Sequence, residues 1–151
     1  KGSVGLYVFL AGTNQRVTTG DTSRDNPKVF TLNAGSYDLK VAYRKAIPEM
    51  ETVIRDIHIV PGQTVDKRAE YQEGILEVKT TSRGKAVRGD LKFFRPGENK
   101  RIASGTAGKQ IKMQPGLYDV VVRAYKLQGK PEKRIAFTIQ AGQTTTPGED
   151  F

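Results

Sequence analysis

The sequence predicts an all-β fold made of two tandem antiparallel β-sandwich domains, with about six to seven strands each. Two observations support this prediction. Short segments of alternating apolar and polar residues are separated by turn-forming clusters such as "RPGENK" and "QGKP". In addition, "NAGSYDLKVAYRK" in the first half of the chain returns as "QPGLYDVVVRAYK" in the second half. Such self-similarity indicates repeated structural units.

The repeat extends over almost the whole chain. Three sets of anchor residues align, at offsets of 81, 80 and 85 residues. They place the two units at residues 1–72 and 73–151. The aligned sets are Gly35, Tyr37 and Asp38 with Gly116, Tyr118 and Asp119, then Gly62, Gln63 and Thr64 with Gly142, Gln143 and Thr144, then Gly12, Arg16 and Gly20 with Gly97, Arg101 and Gly105.

Within the second unit, alternation predicts strands at 75–81, 90–95, 110–113, 117–125 and 134–140. In the first unit, the stretch after Pro48 is ambiguous, because its apolar residues also recur with helical spacing. The matching stretch of the second unit carries Gly129 and Pro131, which disfavour a helix. Since equivalent segments should share a conformation, a strand is the favoured interpretation of residues 53–60.

The two ends of the units are expected to differ. The last segment of the first unit, "TVDKRAEY", alternates regularly, whereas "TTTPGEDF" in the second contains Pro147, which disrupts a ladder. The second unit also opens with "GILEVKT" ahead of "GDLKFFR", and the first unit has no equivalent ahead of "VGLYVFL". We therefore expect the first unit to lack one strand, and to show an open edge or take a strand from another chain.

The repeated Gly-x-Tyr-Asp segment is interpreted as a structural corner. Glycine lets the chain turn sharply where a strand begins. The tyrosine ring then packs under the loop while its hydroxyl bonds a backbone group, as in the tyrosine corner of sandwich domains. Two domains need two such corners, whereas an active site rarely needs a twin. The corner residues are Gly35, Tyr37, Asp38, Gly116, Tyr118 and Asp119.

These motifs resemble a known family. A strand, the turn "GKAVRG", a second strand, and then "PGLYDVVV" and "IQAGQT" are similar to transthyretin-like or carboxypeptidase-regulatory-like sandwich repeats of bacterial envelope and secreted proteins. Some of those repeats occur beside von Willebrand factor A domains. The resemblance implies a prealbumin-like or immunoglobulin-like fold, and a role as a spacer, stalk or protein-interaction module without a cofactor.

Candidate catalytic and metal-binding residues are few. The chain has no Cys, and its one His, His58, alternates with apolar neighbours and is expected to face outward. Zinc sites built from His and Cys need several such ligands. A loop with Asp21, Asp25 and Asn26 offers oxygen atoms, but it lacks the glycine and glutamate of a calcium-binding EF-hand loop. We therefore predict no enzyme activity, no metal, no cofactor and no small-molecule substrate.

The charge distribution supports an alternative function. Residues 1–72 carry ten Lys and Arg against eight Asp and Glu, whereas residues 73–151 carry fifteen against eight. A basic surface of this kind suits an anionic polymer such as envelope polysaccharide, lipid headgroups or, less favoured, nucleic acid. The competing interpretation is that Lys on strands prevents edge pairing. The candidate anionic-ligand residues are Lys79, Arg83, Lys85, Arg88, Lys92, Arg95, Lys100 and Arg101.

The sequence therefore favours a non-catalytic tandem β-sandwich segment of a larger envelope or secreted protein. The expected partners are other domains of the parent chain or another envelope protein, and the expected location is periplasmic or extracellular. The basic second unit that binds an anionic polymer remains the alternative.

Overall fold

A computed structural model describes residues 4–151 of the chain. Within these residues the fold is all-β, as predicted, with fourteen strands and no helix. They form two compact units: residues 4–45 with 49–71, and residues 46–48 with 72–151. The short segment 46–48 departs from the boundary expected from the repeat. It joins the second unit because the Ile47 N–H donates to the Lys112 carbonyl at 3.0 Å and the Gln114 N–H donates to the Ile47 carbonyl at 2.9 Å.

The described part of the first unit holds one antiparallel sheet of four strands in the order β2-β1-β3-β4. The expectation of six to seven strands is therefore wrong for this unit, within residues 4–151. Residues 28–33 and 63–71 lie outside strands. The four strands are β1 (Gly5–Leu10), β2 (Arg16–Asp21), β3 (Gly35–Tyr43) and β4 (Met50–Ile59).

The stretch after Pro48, for which both a helix and a strand were considered, is strand β4. It pairs along its length with β3, so the strand interpretation is confirmed and the helical alternative is wrong. The ladder contains a bulge, because Tyr37 pairs with Ile57 but Leu39 pairs with Ile54. One extra β4 residue is accommodated there, and Asp56 adopts a φ of 53°.

The second unit is a two-layer structure. One layer is a four-stranded antiparallel sheet in the order β12-β11-β8-β9, and the other consists of two three-stranded sheets, β10-β5-β13 and β14-β6-β7. The strands are β5 (Gly74–Glu77), β6 (Lys79–Ser82), β7 (Lys85–Ala86), β8 (Asp90–Phe94), β9 (Arg101–Thr106), β10 (Gln110–Met113), β11 (Gly116–Arg123), β12 (Glu132–Ile139), β13 (Thr144–Thr145) and β14 (Gly148–Asp150).

Both layers of the second unit contribute to one hydrophobic core. The β5–β6 segment supplies Leu76 and Val78, both 0% exposed, and the four-stranded sheet supplies most of the rest. Close approach of the layers also explains Gly74, since a Cβ there would lie 2.4 Å from the Gln140 carbonyl oxygen. The core residues are Leu76, Val78, Leu91, Phe93, Met113, Tyr118, Val120, Val122, Phe137 and Ile139.

The last segment of the second unit forms strands and that of the first unit does not, which is the opposite of the expectation. In the second unit Pro147 separates β13 from β14, but pairing resumes, and the Pro147 carbonyl itself accepts the Lys79 N–H at 3.0 Å. In the first unit, the regularly alternating residues 64–71 form no strand. The reason is the partner: β13 pairs with β5 and β14 pairs with β6. Within residues 4–151 the first unit has no counterpart of either.

Candidate functional site

The two Gly-x-Tyr-Asp corners have the same geometry. The Tyr37 hydroxyl donates to the Asn33 carbonyl at 2.7 Å, and the Tyr118 hydroxyl donates to the Gln114 carbonyl at 2.7 Å. In both units the glycine two residues before the tyrosine has a positive φ, 156° and 152°. This conformation is accessible to glycine and strained for other residues. In each unit the tyrosine hydroxyl therefore bonds a backbone carbonyl four residues earlier in the chain.

The aspartate of each corner holds a hairpin loop. Asp38 Oδ2 accepts the Gly12 N–H at 3.0 Å, and Asp119 Oδ2 accepts the Gly97 N–H at 3.1 Å. Each glycine lies just beyond the first strand of its unit's four-stranded sheet, with φ near 70°. The carboxylate thus joins one inner strand of the sheet, β3 or β11, to the loop between the other inner strand and its edge strand, which is β1–β2 or β8–β9.

The second hydrogen-bond partner of each aspartate differs. The Asp56 N–H at the β4 bulge donates to Asp38 Oδ1 at 3.0 Å. Arg55 Nη1 also donates to Asp38 Oδ2, at 3.4 Å. In the second unit the arginine bond is shorter, from Arg134 Nε to Asp119 Oδ2 at 2.8 Å. Arg134 also donates to the Glu98 carbonyl at 2.6 Å, and its guanidinium lies 4.8 Å from the Phe94 ring centre. The alignment of Gly12 with Gly97 signalled a shared loop, but it did not indicate Arg134.

These contacts stabilise the ionised form of both carboxyl groups. The backbone N–H groups of Gly12 and Asp56 lower the pKa of Asp38 below its ordinary value. For Asp119, the Gly97 N–H and then Arg134 lower the pKa. A catalytic acid needs a raised pKa near the working pH. The two carboxylates are instead permanently ionised acceptors at neutral pH.

The other polar candidates are occupied by local contacts. His58 is exposed as expected, and its Nδ1 lies 2.8 Å from Ser36 Oγ. In the loop, Asp21 accepts the Ser23 N–H and hydroxyl, and Asp25 lies 3.8 Å from Lys28 Nζ. Within residues 4–151, no three His, Cys, Asp or Glu side chains converge as metal ligands.

A shallow depression lies beside the first corner. It has a volume of about 180 Å³ and is lined in part by Asp38, Lys40 and Arg55. Pockets for small organic ligands usually span about 300–1,000 Å³. The Arg55 guanidinium lies 3.4 Å from Asp38 Oδ2, so the charged groups here face each other.

The eight candidate anionic-ligand residues are all exposed, but they are divided among several elements of the second unit. Three lie on the β6–β7 hairpin: Lys79 and Lys85 in the strands, and Arg83 in the turn. The other five lie on the four-stranded sheet or in the loops that flank β8, namely Arg88, Lys92, Arg95, Lys100 and Arg101.

None of these eight side chains forms an ion pair with another residue of 4–151. Other basic residues of the same unit are paired, such as Lys133 with Glu149 and Arg134 with Asp119. Two of the eight lie over aromatic rings. The Arg88 guanidinium is 5.6 Å from the Tyr125 ring centre, and the Arg95 guanidinium is 5.4 Å from that of Tyr118.

Phe93 and Phe94 are adjacent on β8, and successive side chains of a strand point to opposite faces of the sheet. Phe93 is 0% exposed in the core, and Phe94 lies on the other face of the sheet, where Arg134 covers it. Nearby on the same sheet, the Arg123 Nε is buried and has no hydrogen-bond partner among the described residues. Both phenylalanine rings are therefore buried and do not form an exposed aromatic surface beside the basic residues of this sheet.

Comparisons with protein-family models, with curated proteins and with solved structures give no match to this chain. Residues 4–151 include no helix with the length and apolar character needed to cross a bilayer.

Proposed function

We propose that this chain is a non-catalytic tandem β-sandwich module of a larger bacterial envelope or secreted protein, acting as a spacer or protein-interaction module of the transthyretin-like type. The observation that carries the proposal is the twinned corner. In each unit, the polar side-chain atoms of the tyrosine and the aspartate of the Gly-x-Tyr-Asp motif form hydrogen bonds within that unit.

This use of the motif favours a structural role. A reactive site needs side-chain atoms that are free to meet a substrate. Here Asp38 and Asp119 are engaged by backbone N–H groups, and Tyr37 and Tyr118 are buried with bonded hydroxyls. The same arrangement in both units serves loop positioning, which every copy of the domain requires.

A replacement experiment in the parent protein tests the proposal. Residues 4–151 are exchanged for an unrelated pair of β-sandwich domains of similar length. For a spacer, the parent protein should keep its activity and surface display, because only length and stability matter. For an interaction module, display should persist while one partner is lost from pull-downs. Both roles would be contradicted if the isolated chain had a chemical activity and the parent protein lost that activity on the exchange.

A second candidate function rests on the unpaired basic residues. Eight Lys and Arg side chains between 79 and 101 are exposed and lack carboxylate partners within residues 4–151. Unneutralised cations of this density attract anionic polymers by electrostatics and counterion release. The binding surface would centre on the β6–β7 hairpin and on Arg88, which follows it.

Heparin chromatography with a salt gradient separates the two candidates. If the basic surface is specific, the R83E/K85E/R88E variant should elute at much lower salt than the wild type. The matched control is R24E/K45E/K67E, which makes the same charge change at exposed positions of the first unit. Equal loss of retention in both variants would show a net-charge effect and would remove the second candidate.

A further inference from the structure

The second unit shows how a central strand is held in the smaller layer. In segment β5–β6, β5 pairs antiparallel with β10 and parallel with β13, and β6 pairs antiparallel with β7 and parallel with β14. The segment's side chains at alternate positions, Leu76, Val78 and Thr80, are 0%, 0% and 5% exposed. This continuous segment of two strands therefore supplies both ladder partners and core side chains.

The first unit has the counterpart of the β10 neighbour. By the repeat alignment, Phe30 corresponds to Ile111 and Gly20 to Gly105. A Cβ at Gly20 would lie 3.0 Å from the Phe30 ring, and a Cβ at Gly105 would lie 2.8 Å from Ile111 Cδ1. The same packing of a side chain over a glycine thus places residues 28–33 as β10 is placed in the second unit.

The counterpart of the other neighbour is also present. Tyr71, which aligns with Phe151, stacks on Tyr43 with ring centres 5.8 Å apart and donates its hydroxyl to the Val41 carbonyl. Phe151 packs against the core of its own unit, and its N–H donates to Thr81 at 2.8 Å. Both flanking segments of the first unit are therefore anchored by their side chains to the sheet of that unit.

The backbone of these two segments is unpaired. Within residues 4–151, neither 28–33 nor 64–71 forms a backbone–backbone hydrogen bond. The aliphatic side chains are also exposed, 76% for Val29 and 38% for Val65. Unpaired edges with apolar side chains are templates for an added strand.

We propose that the first unit binds one extended strand of a partner polypeptide between residues 28–33 and 63–71. The strand runs antiparallel to the first segment and parallel to the second, and carries aliphatic residues at alternate positions, as β5–β6 does. A second copy of this chain is a poor donor. Its own β5–β6 would have to leave a core in which Leu76 and Val78 are fully buried.

The probe is a synthetic peptide with the sequence "EGILEVKTTS" of residues 73–82, which carries the required alternation. The control peptide carries Thr at the positions of Leu76 and Val78, so that Ile75 is its only aliphatic residue. Neither register of this peptide can then place aliphatic side chains at alternate positions against the core. The readouts are amide hydrogen exchange, resolved by residue, and the thermal unfolding of the intact chain.

We expect the first peptide, and not the control, to slow exchange about tenfold or more at 28–33 and 64–71. It should also raise the melting temperature of the first unit by about 5 °C at saturation. Residues 110–113 are the internal control, since β5 already pairs with them. Their exchange should stay unchanged.

Three results would overturn the proposal. The first is equal protection by both peptides or by neither. The second is slow exchange at 28–33 in the monomer without peptide, because the chain itself would then fill the position. The third is protection that rises with protein concentration as a dimer forms, which would make a second copy the occupant. Strand binding rests on the proposed role as an interaction module and extends it. It is measured with a peptide, whereas the proposed function is tested by domain exchange in the parent protein and by heparin retention. Failure of the strand proposal is therefore distinguishable from failure of the proposed function.

Discussion

The carboxylate of Asp119 accepts hydrogen bonds from Gly97, 22 residues earlier, and from Arg134, 15 residues later. One short side chain therefore connects the β8–β9 loop to β12 through β11. Asp38 makes the equivalent connection through Gly12 and Asp56. Charge-assisted bonds of this kind are stronger than bonds between neutral groups. This explains why an aspartate follows the tyrosine in both corners.

The first prediction concerns the pH dependence that Asp119 confers. Its pKa is lowered in the folded state, chiefly by the Gly97 N–H and Arg134. The stabilisation is therefore fully present above the unfolded-state pKa, about 4, and is lost as the pH falls through the lower folded-state pKa. The Asp119→Asn variant should melt several degrees lower at pH 7. The difference from the wild type should shrink between pH 5 and pH 2.

Calorimetry across this pH range is the measurement. Asp66→Asn is the control, because Asp66 is exposed and forms no ion pair or hydrogen bond with the described residues. A constant difference between Asp119→Asn and the wild type from pH 7 to pH 2 would show that ionisation of this carboxyl contributes nothing.

At the residue scale, the sequence indicated what depends on local geometry. The glycine and tyrosine of the corner bond within four residues, so their spacing alone suggested the turn. Arg134 could not be found in the same way. Its contact with Asp119 depends on the register between β11 and β12, and the second unit contains fifteen Lys and Arg residues. Charge alone did not indicate which of them pairs.

At the element scale, alternation identified the strands with strong apolar patterns and missed those without. Strand β9, "RIASGT", has small and polar residues at most positions, and it was not predicted. It forms because β8 offers it a ladder. Residues 64–71 are the opposite case. Their alternation is regular, but they form no strand because no partner strand is present within residues 4–151. Strand formation therefore depends on the neighbour as much as on the pattern.

The bulge in β4 supports the second prediction. Asp56 has a φ of 53°, a region that costs residues with a Cβ about 1–2 kcal/mol and that β-branched residues tolerate worst. Its side chain is exposed, so a substitution there tests mainly the backbone. Asp56→Gly should change the free energy of unfolding by less than about 1 kcal/mol. Asp56→Val should lower it by about 1–2 kcal/mol or more.

Urea unfolding of the two variants measures the difference. Thr19→Val, at an exposed position of β2 without a positive φ, is the control for adding a valine to a strand surface. It should be close to neutral. Similar stability for Asp56→Gly and Asp56→Val would mean that β4 removes the bulge at little cost, and that the Asp56 N–H bond to Asp38 is dispensable.

At the scale of the whole molecule, deep burial is concentrated in the second unit. The nine largest side chains with less than 2% exposure all belong to it. In the first unit Leu6 and Ile57 are each 9% exposed, and Val8 and Val41 are 3% and 4% exposed. The difference follows from the layers, because β5 and β6 cover the sheet of the second unit. Buried apolar area is the main favourable term in folding, so the two units should differ in stability.

The last prediction is that the chain unfolds in two steps, with the first unit unfolding at the lower temperature. Leu6→Ala and Leu76→Ala provide a matched pair, since each removes the same atoms from a different unit. Truncation of a buried leucine costs about 2–5 kcal/mol, and the cost rises with the cavity that remains. Each kcal/mol moves the midpoint of a unit of this size by about 4–8 °C. Leu6→Ala should therefore lower the temperature of only the first calorimetric transition, and Leu76→Ala that of only the second, with the larger shift expected for the fully buried Leu76.

A single transition that both variants shift equally would contradict this prediction. It would mean that the two units unfold cooperatively as one body. The less complete layer of the first unit would then have no separate effect on stability.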